Sequence, residues 1–286
     1  MYDLCKASVI RELLTDAGIA LKKSYGQNFL INKAVPEDIA DACAMEREAL
    51  ILEIGPGIGC LTAELAQRYA RVVAIEIDTG LLPILEKTLA DFDNVRVINQ
   101  DVMKADIAAI VAEEAQGRPV YVCANLPYYI TTPILMRLLE CGVDFRAITV
   151  MVQAEVASRL TAPAGSGDYG AITAVLGYYG TVTKLFGVSA GNFLPPPKVS
   201  SAVIRIDLYR ERPWEPKDRM LFFNVIHAAF EQRRKTLVNA IHAKLPHLGK
   251  DCVLNAIIKC GFPESVRGER LSTADFVRLS DMLAEI

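Results

Sequence analysis

The sequence predicts an α/β protein, a doubly wound and mostly parallel sheet followed by a small all-helical domain. Three observations predict it. Short β-branched runs alternate with helix-like segments between residues 49 and 152, and that alternation means βαβ units and a parallel sheet. The runs are almost wholly apolar, as strands covered on both faces are. Beyond Arg210-Glu-Arg-Pro-Trp-Glu-Pro216, where Pro and charge cluster, the pattern is helical only. The expected domains are therefore 1–210 and 211–286.

Each element follows from its residues. Ala49-Leu-Ile-Leu-Glu-Ile54 is an apolar run ending at Gly55-Pro-Gly-Ile-Gly59, and Leu61 to Tyr69 then reads as a helix. Residues 71–78 read as a strand, Leu81–Leu89 as a helix, and Val95 to Asp101 as the next strand. Residues 107–115 are helical, Val120–Ala124 a strand, Ile134–Cys141 helical and Ile148–Val152 a strand. Gly180–Val188 and Ser200–Tyr209 are β-rich runs joined by a Pro-rich turn, suited to closing the sheet as an antiparallel pair. In the helical region, Leu221, Phe222, Val225, Ile226, Ala229 and Phe230 recur at helical spacing, as do Val253, Ala256 and Ile257. Ser272-Thr-Ala-Asp275 is a capping-box start for a last helix.

Composition narrows the classes. With Lys+Arg 31 against Asp+Glu 34, the net charge of −3 gives no global basic field, so any nucleic-acid surface is a local patch. No apolar run approaches the roughly 20 residues of a membrane span, and no secretory leader is expected. The seven cysteines form no CxxC, and no His spacing completes a zinc motif. A disulfide scaffold and a metal site are both disfavoured, and a reducing cytoplasm is expected. His227, His242 and His247 are scattered and read as structural or surface residues.

The glycine loop closes a strand and opens a helix, where free N–H groups and close backbone approach favour a ligand. Its spacing is GxGxG, an imperfect dinucleotide fingerprint. Glu53 just before it would repel a pyrophosphate. Glu76 ends the next strand, placed to accept both hydroxyls of a ribose, and Asp101 ends the third, placed to accept an adenine amino group. Each acid alone is as well explained by capping or solvation. Together, on successive strands at one sheet edge, they suit a nucleoside carrying a cation, S-adenosyl-L-methionine.

Asn125-Leu-Pro-Tyr-Tyr-Ile130 follows the fourth strand. A plain turn would use Asn and Pro, but two tyrosines at that edge suit a flipped base. The lone pair of an exocyclic amine is delocalised into its ring. Acceptors on its two N–H bonds, the Asn125 side chain and a backbone carbonyl, draw the nitrogen toward a tetrahedral, nucleophilic shape, while Tyr128 stacks on the base.

Taken in order, these motifs resemble those of the KsgA-type small-subunit ribosomal RNA adenine N6,N6-dimethyltransferases, over nearly the whole chain. Tyr25-Gly-Gln-Asn-Phe-Leu30, Glu53 to Thr62, Glu76-Ile-Asp78, Asp101-Val102 and Asn125 to Tyr128 occur in the family's order. So do Phe193-Leu-Pro-Pro-Pro-Lys-Val-Ser-Ser-Ala-Val203 and Ala229-Phe-Glu-Gln-Arg-Arg-Lys-Thr-Leu237. The resemblance implies a Rossmann-like class I methyltransferase domain with a helical RNA-docking domain. It implies that Gln27, Asn28 and Leu30 line the methionine end of the cofactor, that Gly55 and Gly57 are its close-approach glycines, and that Glu76 holds its ribose. Asp101 would bind the adenine and Val102 pack on it. Asn125 and the Leu126 carbonyl would bind the target amine, Pro127 shaping the turn, with Tyr128 and Phe193 stacking on the base. Tyr129 stands where many relatives have a polar residue. The implied substrate is two adjacent adenosines near the 3′ end of 16S ribosomal RNA, modified in a small-subunit precursor during ribosome biogenesis by a monomer.

Lys22, Lys23, Lys198, Arg233, Arg234 and Lys235 are candidate phosphate contacts. Gln232-Arg-Arg-Lys235 reads equally well as a solvated helix end. Three other functions compete. A large-subunit adenine methyltransferase of the macrolide-resistance type shares the N-terminal motifs, but the Pro-Pro-Pro-Lys-Val and Gln-Arg-Arg-Lys-Thr-Leu stretches favour the small-subunit enzyme. A catalytically inactive RNA-binding factor is disfavoured by the intact Asn125 to Tyr128 segment, and a nicotinamide dehydrogenase by Glu53 and the GxGxG spacing.

Overall fold

The computed structural model describes residues 2–19 and 28–285. From the N-terminus, α1 (Ala7–Asp16), β1 (Phe29–Leu30) and α2 (Ala34–Asp41) precede the alternating region. That region runs β2 (Leu50–Ile54), α3 (Cys60–Arg68), β3 (Arg71–Glu76), α4 (Leu82–Thr88), β4 (Val95–Asn99) and α5 (Ile107–Ala115). It continues through β5 (Val120–Asn125), α6 (Thr131–Glu140), β6 (Phe145–Gln153) and α7 (Ala154–Leu160). Then come α8 (Ala171–Tyr179), β7 (Gly180–Val188), β8 (Phe193–Leu194), β9 (Ser201–Leu208) and α9 (Arg219–Glu231). The chain ends in α10 (Leu237–Lys244), α11 (Lys250–Lys259) and α12 (Thr273–Leu283).

Seven strands form one sheet in the order β4-β3-β2-β5-β6-β9-β7. The pairs β2–β3, β2–β5, β3–β4 and β5–β6 are parallel, and β9 runs antiparallel to β6. The α/β class and its mostly parallel sheet are thus present. Every residue of β2 is buried, as its unbroken apolar run requires of a strand covered on both faces. From β2 the chain moves outward to β3 on one side and later to β5 on the other. The strand order reverses there, and the crevice at the carboxyl ends of β2 and β5 is where such sheets bind ligands.

The first compact unit comprises Met1–Ala157 and Thr183–Leu208. One apolar cluster of this unit joins α2 and α3 to the sheet through Ile39, Ile51, Leu65, Val72 and Met151. Another packs Ile10, Leu13 and Leu14 of α1 with Phe29, Ile58 and the α4 residues Ile84 and Leu85. Helices α1 and α2 lie outside the elements read from the sequence. The runs at 180–188 and 200–209 do become edge neighbours, β7 and β9. The segment between them is more than a turn, because β8 pairs antiparallel with β1 in a separate two-stranded sheet.

The second unit comprises Ser158–Val182 and Tyr209–Ile286. It is discontinuous: residues 158–182 pack with the helical region, although Gly180 to Val182 also begin β7 of the sheet. The physical reason is α8, which is largely buried and packs on α9 and α12. Tyr178 meets the rings of Phe222 and Phe223 at 5.3 and 5.5 Å. Gly177 lets α12 come close, since a Cβ there would sit 2.3 Å from Thr273 Oγ1, and that hydroxyl donates to the Ala174 carbonyl at 2.9 Å. Local signals fix the helix starts. Asp218 accepts from the Leu221 N–H, and Ser272 with Asp275 forms the expected capping box.

Candidate active site

A cavity opens at the carboxyl ends of β2, β3 and β5, lined by the glycine loop, Glu53, Glu76, Ile77 and the segment 125–129. The loop has its shape because Gly55, Gly57 and Gly59 all adopt left-handed backbone, at φ 70°, 62° and 90°. An L side chain is strained in that region, which explains three glycines at this spacing better than a dinucleotide fingerprint does. Gly59 caps α3 and is also sterically closed, because a Cβ there would meet Leu89 Cδ2 at 3.1 Å and Thr88 Oγ1 at 3.2 Å. Thr88 in turn donates to the Ile58 carbonyl at 3.0 Å and pins the loop from α4. A Cβ on Gly55 would meet nothing within 4 Å.

Two acids serve this loop differently. Glu76 ends β3 and is buried. One of its carboxylate oxygens accepts from the Asp78 N–H at 2.8 Å and the other from the Gly57 N–H at 3.3 Å. Burial raises its carboxyl above the ordinary range, and those two N–H groups oppose the rise. Glu53, in β2, is 1% exposed. Among the described residues its Oε2 and the Thr62 hydroxyl have no hydrogen-bond partner. Burial pushes the Glu53 carboxyl up to about 8; the adjacent Thr62 hydroxyl, although outside hydrogen-bonding geometry, opposes the rise, and the nearby Glu76 charge adds to it. A deep carboxyl with an orphaned oxygen facing a cavity is suited to a cationic ligand group. The sequence had marked Glu53 as repelling pyrophosphate and, with the other strand-end acids, as suiting a cation; its place in a central, fully buried strand, where an acid is costly without a partner, sharpens that reading.

Asn125 is the last residue of β5, held in register with Met151 of β6. The Leu126 N–H donates to the Met151 carbonyl at 3.2 Å. The Pro127 carbonyl is taken by the Ile130 N–H and the Thr131 hydroxyl, each at 3.2 Å. No described residue hydrogen-bonds the Asn125 side chain. It is therefore an open acceptor on a rigid strand end. The Tyr128 hydroxyl bonds Ser201 Oγ, and burial raises its phenol. Tyr129 is 64% exposed at the rim, with Ile77, a residue the sequence reading gave no role of its own, beside Glu76.

The structure brings together Asn28, Leu30, Gly55, Gly57, Glu76, Asn125, Leu126, Pro127 and Tyr128 around this cavity. Other expected residues are placed differently. Phe193, expected to stack on a base, is 2% exposed and packs in the core with Leu30, Val188 and Val203, because pairing of β8 with β1 holds it there. Asp101 and Val102 follow β4, the strand beside β3. Asp101 lies two residues past the end of β4, and its carboxylate accepts from the Met103 N–H in a turn of its own. Val102 is buried.

Arg233 donates to the carbonyls of Gly167 and Tyr169 at 2.9 and 2.8 Å, so its guanidinium braces a loop of the second unit. Lys198, Arg234 and Lys235 are exposed. Gln27, Lys22 and Lys23 lie outside the described residues. Among the described residues no group of acids, Cys and His is arranged to hold a metal, and no helix is long and apolar enough to cross a membrane.

The chain is similar to known proteins along nearly its whole length. Residues 18–285 match the family model described as ribosomal RNA adenine dimethylase. A Shouchella clausii protein named ribosomal RNA small subunit methyltransferase A is 44% identical over 98% of this chain and 96% of its own. One of the same name from Geobacillus thermodenitrificans is 44% identical over 98% and 97%. Among solved structures, a dimethyladenosine transferase from Plasmodium falciparum has a TM-score of 0.75 at 24% identity, covering 87% of this chain and 95% of its own. The 23S rRNA methyltransferase ErmE has a TM-score of 0.69 at 26% identity, covering 90% and 100%. The class I methyltransferase fold, the crevice at its topological switch point and the near full-length match together make this chain a member of the ribosomal RNA adenine dimethylase family, an enzyme that methylates ribosomal RNA.

Proposed function

We propose that this chain uses S-adenosyl-L-methionine to dimethylate adenine N6 on two adjacent adenosines near the 3′ end of 16S ribosomal RNA, in a cytoplasmic small-subunit precursor. The observation that carries the reading is the open Asn125 acceptor at a strand end beside the glycine loop and Glu76. The residues fit the cofactor. Glu53 offers its orphaned carboxylate to the α-ammonium, Asn28 and Leu30 flank the same end, and Glu76 accepts from the ribose hydroxyls. When bound, the cofactor supplies an electrophilic methyl group on a sulfonium.

The protein's part is then positioning and electrostatics. Asn125 Oδ1 and the Leu126 carbonyl accept the two N–H bonds of the target amine. Their pull localises the nitrogen lone pair, and the hydrogen bonds strengthen as the nitrogen becomes tetrahedral. The Tyr128 ring packs on the base. Exposed Arg234 and Lys235 give the second unit phosphate contacts, and Lys198 gives the first unit another. The small-subunit target is favoured over the large-subunit one by the name shared by relatives matching nearly the full chain at 44% identity.

The test is transfer of a labelled methyl group to isolated small and large subunits, with the product nucleoside identified. N6,N6-dimethyladenosine on small subunits alone is expected. Asn125→Ala should slow single-turnover methylation by about 10²–10³ and leave RNA affinity nearly intact, because spread phosphate contacts supply most of it. Methylation of Asn125→Ala at the wild-type rate overturns the amine-acceptor role. Labelling of large subunits instead overturns the substrate.

A further inference from the structure

A pair of thiols lies against the glycine loop without a part in methyl transfer. Cys5 sits in the turn before α1, and Cys60 is the first residue of α3. Their sulfurs are 2.8 Å apart although 55 residues separate them in sequence. That gap is within about 1 Å of a covalent S–S bond. Both are free cysteines. They line one side of a cavity of about 340 Å³ together with Asp3, Lys33 and Glu64, which gives a small polar oxidant a way in. Cys60 also lines the neighbouring cavity described above, next to Gly57 and Ile58. Cys43 and Cys123 are fully buried in the sheet core and serve as an internal contrast.

From this juxtaposition we propose that Cys5 and Cys60 are a redox-reversible modification site, closed to a disulfide by hydrogen peroxide, and that the closed form weakens binding at the glycine loop. The second clause rests on the cofactor reading above; the first does not. The two thiols are unequal. Their mutual hydrogen bond draws the Cys5 thiol down and pushes Cys60 up, and burial raises Cys60 further. Cys5 is therefore the attacking thiolate.

The Cys5 sulfur attacks one peroxide oxygen. An S–O bond forms, the O–O bond breaks, and the departing hydroxide takes a proton to become water. The Cys60 sulfur, giving up its proton, then attacks Cys5. The S–S bond forms, the S–O bond breaks, and a second water leaves. Two thiols are oxidised by two electrons as one peroxide is reduced to two waters, and a dithiol reverses the bond by exchange. Closure draws Cys60 toward Cys5. The first turn of α3 and Gly59, its left-handed cap, must follow, and this shifts the backbone groups that face the ligand. A transient bond of this kind fits a compartment where permanent disulfides are rare.

The experiment treats the full chain with stoichiometric hydrogen peroxide. Expected are the loss of two hydrogens in the intact mass, one crosslinked peptide pair containing Cys5 and Cys60, and reversal by dithiothreitol. Cys5→Ser and Cys5→Ala should both prevent the crosslink while binding S-adenosyl-L-methionine as the reduced wild type does. A crosslink through Cys43 and Cys123, a disulfide between chains, or sulfinic acid on Cys5 without a crosslink overturns the site. Calorimetry on the oxidised chain should show severalfold weaker cofactor binding, restored by dithiothreitol and absent from treated Cys5→Ser. Equal affinity in both redox states overturns the coupling. A reduced chain that binds no S-adenosyl-L-methionine overturns the cofactor assignment and leaves the crosslink result standing.

Discussion

Tyr128 and Ser201 share a hydrogen bond across 73 residues of sequence, tying a residue of the cavity wall to the first residue of β9. Ser201 is itself set opposite Gln153 in β6, so the sheet dictates where the Tyr128 hydroxyl rests. Tyr128→Phe leaves the buried Ser201 hydroxyl unpaired and should cost about 1–3 kcal/mol of stability. Adding Ser201→Ala should recover part of that loss, and a double-mutant cycle of thermal melts measures the coupling. Tyr128→Ala also removes the ring and should slow methylation by a further factor equivalent to about 1–3 kcal/mol of base stacking. Strict additivity of the Phe and Ala substitutions would show that the pair is not energetically joined.

Glu76 has both carboxylate oxygens engaged by backbone N–H groups, one of them in the glycine loop. Under the ribose assignment, Glu76→Ala removes a ligand contact and loosens Gly57 at once. A charge-assisted contact is worth about 1.5–3 kcal/mol, so the Kd for S-adenosyl-L-methionine should rise about 10–100-fold. Glu76→Gln keeps the shape and should fall between. Isothermal calorimetry decides, and an unchanged Kd in Glu76→Ala removes the ribose assignment.

Glu53 should make the stability of the fold fall with rising pH. Its carboxyl titrates at about 8 in the fold against an ordinary value of 4.5. Between those values the folded chain holds a proton that the unfolded chain has released. Stability must fall as pH rises through the window, and Glu53→Gln should flatten the fall. A ligand ammonium favours the ionised carboxylate, so binding near pH 7 should release a proton and tighten as pH rises toward 8. Calorimetry in two buffers of different ionisation enthalpy reads that proton directly. Binding with no buffer dependence would place the ammonium elsewhere.

Gly55 and Gly59 should separate ligand space from packing space. Both are left-handed, so alanine strains either by about 1–2 kcal/mol. At Gly59 the new methyl also presses on Leu89 and Thr88, whereas at Gly55 it enters open space. Gly59→Ala should be the less stable protein by melting temperature. Gly55→Ala should be the weaker binder relative to its stability. Equal effects on both properties at both positions would mean the loop responds as one unit.

What the sequence made legible was whatever sits at a strand end. Glu76, the glycines and Asn125 share one edge because β3, β2 and β5 are parallel neighbours, and their order along the chain already implied it. Asp101 was harder to place because β4 stops at Asn99 and the acid falls in the turn that follows. The burial of Phe193 was not legible because the two-residue pairing of β1 with β8 leaves no period to read, yet it decides which way that side chain is buried. Residues 171–179 gave no helical stripe, since α8 is apolar nearly all round and polar nowhere along one side. Membership of the second unit rests on contacts with α9 and α12 that begin 40 or more residues later, beyond the reach of local pattern.

That discontinuous second unit has a consequence for how the chain is made. Translation delivers α8 well before α9 and roughly a hundred residues before the end of α12. At about 5–20 residues per second, this apolar helix waits several seconds on the ribosome without the partners that bury it. A nascent chain stalled anywhere in that interval exposes Leu176, Tyr178 and Tyr179, so this span is where chaperone capture and aggregation of the newborn protein should concentrate. An enzyme that methylates ribosomal RNA thus depends on a ribosome carrying its own synthesis through to the last helix.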